Sequence, residues 1–213
     1  MILLQKCIEY DYFTNYLLLC YYGKKLIRKH FMKKVVILTG SPRKNGTSNY
    51  LAEEFIKGVQ QNGYDVYKFD CAKADVKPCL ACQACGMGEK PCVHKDDFAD
   101  LRTHLLEADI IAFVTPIYYF GMTSALKKVI DRFYSIDKLL REKKNKAVLI
   151  SVQHANVAEV KNALVSNFSS IINWLNIENA GMINAIGIES LEQLKQTEYP
   201  KRVYELGKSL DNK

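Results

Sequence analysis

Val35-Val36-Ile37-Leu38-Thr39-Gly40-Ser41-Pro42-Arg43-Lys44-Asn45-Gly46-Thr47-Ser48-Asn49 begins with an unbroken apolar run and passes into a turn of small, hydroxylated and basic residues. A strand covered on one face alternates, whereas a continuous apolar run suits a strand covered on both. Beyond the turn, Leu51, Phe55 and Val59 recur every four residues, which predicts a helix from about Thr47 to Gln61 that Asn62-Gly63 stops. The same rhythm continues along the chain, with predicted strands at Val35–Leu38, Asp65–Phe69, Ile110–Val114, Ala147–Val152 and Met182–Ile188. Between and after them lie helical stripes: Phe98, Leu101 and Leu105; Leu126, Val129, Ile130 and Phe133; Val160, Leu164, Phe168, Ile171 and Leu175. Leu191 and Leu194 precede Pro200, which starts or kinks a last helix bearing Val203, Leu206 and Leu210. Strands alternating with helices predict an α/β fold: a doubly wound five-stranded parallel sheet in three α/β/α layers. Only residues 70–96 break the rhythm, with two prolines, two glycines and most of the cysteines, and they read as an ordered loop insertion.

The chain's 213 residues fit one such domain. Its net charge of +7 comes from scattered basic residues, partly from Lys24, Lys25, Arg28 and Lys29, and no recognition motif accompanies it, so no nucleic-acid partner is expected. The apolar run Tyr16–Tyr22 falls short of the roughly 20 residues of a spanning helix, and acidic Glu9 and Asp11 precede it, so no membrane anchor is expected either. Residues 1–31 do not share the pattern of the rest of the chain. They read as a dispensable N-terminal extension, disordered or not native, or else as an added amphipathic helix, with the domain proper starting at Met32 and running to residue 213. Seven cysteines, four of them crowded into Cys79–Cys92, do not form a disulfide framework; they point to a metal or redox site in a reducing cytoplasm.

In doubly wound sheets ligands bind beyond the carboxyl ends of the strands. After the first strand, the turn Thr39–Asn49 offers hydroxyls, a cation and the start of a helix, where free N–H groups favour an anion. It is neither a dinucleotide fingerprint nor a Walker loop, and the bland alternative is a helix start capped by Thr47 or Ser48. After the third strand, Thr115-Pro116-Ile117-Tyr118-Tyr119-Phe120-Gly121-Met122 can supply an apolar face and backbone groups to a flat ring such as an isoalloxazine, or else a core or dimer contact. Ser151–Ala155 borders the same region; His154 there is either a cofactor contact or a surface residue. Cys79, Cys82, Cys85 and Cys92 follow C-x2-C-x2-C-x6-C, an interval at which thiolates can wrap the corners of a cubane. Zinc, a redox disulfide and unmetallated thiols remain alternatives, and Cys7, Cys20 and Cys71 read as buried or incidental thiols.

The turn Gly40-Ser41-Pro42-Arg43 with Gly46-Thr47-Ser48, paired with Thr115–Met122, resembles the NADPH-dependent FMN reductase family of the flavodoxin-like superfamily. The resemblance runs from about residue 33 to the end. It implies that Ser41, Arg43, Thr47 and Ser48, with Asn49 beside them, hold an FMN phosphate, and that Pro116, Ile117, Tyr118, Tyr119, Phe120 and Gly121 border the ring. Family members commonly carry Gly-Asn-Thr where Gly46-Thr47-Ser48 stands. The cysteine motif and the following Asp96-Asp97 resemble the iron-sulfur flavoprotein branch, which implies a 4Fe-4S cluster on Cys79, Cys82, Cys85 and Cys92. The implied function is an FMN-dependent oxidoreductase with no catalytic side chain, working as a homodimer or homotetramer. Its donor is NAD(P)H or ferredoxin and its acceptor a small molecule; the alternative is a non-catalytic flavodoxin-type carrier.

Overall fold

The computed structural model describes Lys33 to Leu210, so the readings on residues 1–31, Met32, Cys7 and Cys20 lie outside the described residues. From Lys33 the chain runs β1 (Lys34–Thr39), α1 (Thr47–Gln61), β2 (Asp65–Asp70), α2 (Phe98–Glu107) and β3 (Ile110–Pro116). It continues through α3 (Ser124–Asp131), a 3-10 segment (Arg132–Ile136), α4 (Asp137–Arg141), β4 (Lys146–Val152) and α5 (Val160–Trp174), and closes with β5 (Glu178–Ala185), α6 (Leu191–Lys195) and α7 (Tyr199–Lys208). All strand pairs are parallel, in the order β2-β1-β3-β4-β5. This is the expected flavodoxin-like sheet. Successive residues of a strand face opposite sides, and the core divides accordingly. Val36, Leu38, Ile111 and Phe113 pack with α2, α3 and α5; Val35, Ile37, Ala112 and Val114 pack with α1, α6 and α7.

The order of the strands locates the ligand crevice. The chain leaves β1 for β2 on one side and crosses back to β3 on the other, so the connections after β1 and β3 diverge and leave a gap at their carboxyl ends. Both motif-bearing loops, Gly40–Gly46 and Ile117–Thr123, lie at that gap.

Two elements differ from their sequence readings. β5 starts and ends earlier than Met182–Ile188 because an edge strand buries only one face: Ala180, Ile183 and Ala185 are buried while Glu178 and Asn179 are exposed, so its first half shows no apolar run. Gly187, at φ +69°, then turns the chain away. The helical stripe through Phe133 is also broken, since α3 stops at Asp131 and tightens into the 3-10 segment where the cysteine loop packs, with Gly88 against Ile136.

The layer of α1 and α7 depends on a backbone-to-backbone approach. A Cβ on Gly58 would stand 2.2 Å from the Tyr204 carbonyl oxygen, and one on Gly207 would stand 2.7 Å from that of Phe55. Gly58→Val is therefore expected to separate the helices and cost about 2–3 kcal/mol, read as a lower urea midpoint. Among the described residues no helix is long and apolar enough to cross a membrane.

Candidate functional site

The turn after β1 is built to leave donors free. Gly40 N–H donates to the Val114 carbonyl at 2.8 Å and the Gly40 carbonyl accepts from Thr123 Oγ1 at 2.7 Å, so the turn is pinned between β3 and the start of α3. Only glycine fits there, because a Cβ would meet Thr123 Oγ1 at 2.6 Å. Buried Ser41 accepts from Arg43 N–H at 3.2 Å, and Asn49 Nδ2 donates to the Arg43 carbonyl at 2.8 Å. The Asn49 amide thus ties down the Arg43 carbonyl.

The N-cap of α1 is Gly46, with φ −78° and ψ 160° and no capping side chain, so Thr47 and Ser48 are helix residues and not the cap. An uncapped helix start exposes the donors that a serine or threonine cap would occupy. Among the described residues the N–H groups of Thr47, Ser48 and Asn49 have no protein acceptor. Arg43 is exposed, and no ion pair to it is found among the described residues. The predicted Ser41, Arg43, Thr47, Ser48 and Asn49 thus share one turn, but with a division of labour. Ser41 and Asn49 shape it, while the N–H groups and Arg43 remain available to an anion.

The second loop folds back on itself as a hairpin. Tyr118 and Gly121 exchange backbone hydrogen bonds of 3.0 and 3.1 Å across Tyr119 at φ +44° and Phe120 at φ +66°. Two successive left-handed residues describe a type I′ turn, a geometry that favours glycine or asparagine; bulky residues there store about 1–3 kcal/mol each. At the tip of this turn Tyr119 is fully in solvent, at 101% relative exposure, with Phe120 at 59% and Tyr118 at 45%. Ile117 N–H anchors the hairpin to the Val152 carbonyl at 2.8 Å, and Thr115 Oγ1 accepts from Thr123 N–H at 3.2 Å. Thr123 therefore belongs to both loops. Pro116 closes β3, and a Cβ on Gly121 would meet nothing within 4 Å, so the surface beside it is open.

A third loop borders the hairpin. Gln153 is buried; its Nε2 donates to the Ala155 and Val157 carbonyls at 2.8 and 2.6 Å, and its Oε1 accepts from Asn184 Nδ2 at 3.0 Å. Asn184 Oδ1 in turn accepts from Ser151 Oγ at 2.6 Å. His154 itself is exposed on that loop.

Cys79, Cys82, Cys85 and Cys92 line one open hollow together with Leu80, Val93, His94 and Arg132. The loop winds tightly there, with Ala81, Gln83, Gly86, Met87 and Gly88 all at positive φ. No group of three or more His, Cys, Asp and Glu close enough to share one ion is present among the described residues; the four cysteines line one hollow. Soft thiolates suit iron-sulfur clusters and zinc alike. Cys71 stands apart: it is fully buried, and burial pushes its thiol up to about 12, the profile of an inert core cysteine.

Asp96, Asp97 and Arg132 anchor this loop. Asp97 accepts from Asp75 N–H at 2.8 Å, and Asp96 accepts from Lys77 N–H at 2.9 Å and from Arg132 Nη1 at 2.7 Å, with both side chains of the pair buried. Burial pushes the Asp96 carboxyl up, but the Arg132 guanidinium and the N–H groups of Lys77 and Phe98 outweigh it and hold the pKa below the ordinary value. Burial likewise opposes the charge of Arg132, yet Asp96, joined by the Cys92 side chain beside the guanidinium, raises its pKa above normal. Arg132 and Thr123 escape a search for motifs, and Gln153, although in the predicted Ser151–Ala155 loop, is not singled out there. A signal for Arg132 exists, since it stands three residues after Val129 and four before Ile136, a cation on a stripe that is otherwise apolar.

Comparison with known proteins sets these loops in context. The family model described as NADPH-dependent FMN reductase matches residues 33–186. An iron-sulfur flavoprotein of Archaeoglobus fulgidus is 33% identical over 101 residues, covering 47% of this chain and 45% of its own length. An iron-sulfur flavoprotein of Methanocaldococcus jannaschii is 27% identical over 139 residues, covering 63% of this chain and 70% of its own. The match thus spans about half of the Archaeoglobus relative and more of the Methanocaldococcus one. Among solved structures, an NAD(P)H:quinone oxidoreductase from Methanothermobacter marburgensis superposes with a TM-score of 0.71 over 84% of this chain and 96% of that one, at 16% identity. At that identity the likeness speaks for the fold.

Proposed function

We propose that this chain, which belongs to the NADPH-dependent FMN reductase family, binds FMN at the β1/β3 crevice and passes electrons from NAD(P)H or ferredoxin to a small acceptor. The observation that carries this reading is the set of three unpartnered N–H groups at the uncapped start of α1, at the switch point of the sheet and joined through Thr123 to a strained aromatic hairpin. The N–H groups of Thr47, Ser48 and Asn49, with Arg43, would receive the phosphate dianion, because helix-start donors and the helix dipole favour negative charge. Tyr118, Tyr119 and Phe120 would border the ring, whose burial gives the exposed aromatic surface a partner. Ile117 and Pro116 fix the hairpin's height above β3, and Gln153 fixes the neighbouring loop.

The four thiols and Arg132 fit a sulfur-rich anionic group, and we assign Cys79, Cys82, Cys85 and Cys92 to a 4Fe-4S cluster, as the names of the archaeal relatives suggest for those proteins. FMN would supply hydride or one-electron exchange and the cluster one-electron exchange, so the residues of this chain need only bind, orient and exclude water. Leu80, Val93 and Tyr134 leave an exposed apolar rim around the thiols. A rim of this kind is suited to the contact of a homodimer or homotetramer, and the thiols are suited to a reducing cytoplasm.

The test is an absorption spectrum of anaerobically purified protein with iron and sulfide analysis. Flavin bands together with a broad brown shoulder and matching iron are expected. Flavin bands without iron would remove the cluster, and protein that stays colourless in excess FMN would overturn the whole reading.

A further inference from the structure

Arg132 is the least expected side chain beside the thiols. It is 1% exposed, lies over the Phe98 ring at 4.9 Å, and begins the 3-10 segment into which α3 tightens. Its Nη1 donates to the Lys77 carbonyl at 2.9 Å and to Asp96 Oδ2 at 2.7 Å, and its Nη2 to Asp96 Oδ1 at 3.3 Å. Nε is buried and meets no acceptor at hydrogen-bonding geometry among the described residues, although the Cys92 side chain stands beside the guanidinium. An unsatisfied donor on a buried cation is costly, and its persistence calls for an acceptor. The same side chain lines the hollow of the four cysteines.

We propose that Arg132 is a positioning residue of the cysteine centre: Asp96 and Lys77 lock its fork so that the remaining Nε–H is offered to the sulfur-ligated group and stabilises its more negative, reduced state. The inference rests on the assignment of a cluster to the four thiols. One-electron reduction adds a negative charge to the centre, and a hydrogen bond donated to it favours that state, which raises the potential. Lysine keeps the charge but cannot hold Asp96 and Lys77 while offering a further N–H at the same place.

The test compares wild type, Arg132→Lys and Asp96→Asn, each purified anaerobically, by iron content and by dithionite titration followed by electron paramagnetic resonance. Arg132→Lys is expected either to shift the oxidised-to-reduced ratio at a given potential tenfold toward oxidised, about 59 mV for a one-electron couple, or to shed its iron. Asp96→Asn, which keeps Nε–H but loosens the lock that aims it, is expected to keep its iron and to shift the potential the same way by a smaller amount. Wild-type iron and potential in Arg132→Lys would overturn the inference, as would equal effects in the two variants, which would reduce Arg132 to a structural anchor. Absence of iron from the wild type would instead overturn the cluster assignment, and this inference with it.

Discussion

Asp96→Ala is expected to lower the folding stability by about 3–5 kcal/mol, because it leaves the Arg132 guanidinium buried without its counter-charge. The loss would be read as a drop in the urea unfolding midpoint without a change in slope. It should exceed that of any exposed ion pair on the domain, such as Lys68–Glu53, which is worth at most about 1 kcal/mol. The carboxyl of Asp96 also ties down Lys77 and Phe98 N–H groups, so the variant frees the cysteine loop at both ends. The sign of the pH dependence follows from the depressed folded-state pKa. The stabilisation is fully present above the unfolded value of about 3.9 and drains away as pH falls through the lower folded value. Wild type is therefore expected to lose stability in acid more steeply than Asp96→Ala. Parallel acid profiles would contradict the pairing.

Thr47→Pro is expected to weaken FMN binding roughly ten- to 150-fold with little change in folding stability, the loss of one charge-assisted hydrogen bond of about 1.5–3 kcal/mol. Proline is well tolerated at the first helical position, where its missing N–H breaks no helical bond. Gly46, at ψ 160°, already has the extended conformation that a following proline demands. The substitution removes a backbone donor from the anion site and leaves α1 intact. Thr47→Ala, which removes only the hydroxyl, serves as the comparison, and fluorescence titration with FMN measures both. Equal affinities of the two variants would show that the Thr47 N–H makes no contact with the ligand.

How far the fold can be read from sequence depends on which faces are buried. β1, β3 and β4 are covered on both sides, so Val35–Leu38, Ile110–Val114 and Ala147–Val152 stand out as apolar runs. β5 lies at the edge, and its polar first half is not legible as a strand. The ligand loops are legible because composition and position coincide: glycine, hydroxyls and an arginine after one strand, aromatics after another. Their detailed roles are not. That Gly46 caps α1 while Asn49 serves the loop depends on backbone angles that no periodicity encodes. The cysteine spacing announces a site, but its anchors come from far along the chain. Arg132 lies 36 residues from Asp96 and 55 from Lys77, and only the folded arrangement of α3 beside the loop brings them together.

The most direct measurement is the affinity of the purified chain for FMN and for riboflavin, taken side by side by flavin fluorescence. The two ligands share the tricyclic ring and differ in the phosphate. If the free N–H groups of α1 and Arg43 grip that phosphate, FMN binds at least about 100-fold more tightly, the worth of two charge-assisted hydrogen bonds. Equal affinity for the two, or binding of neither, would contradict the account.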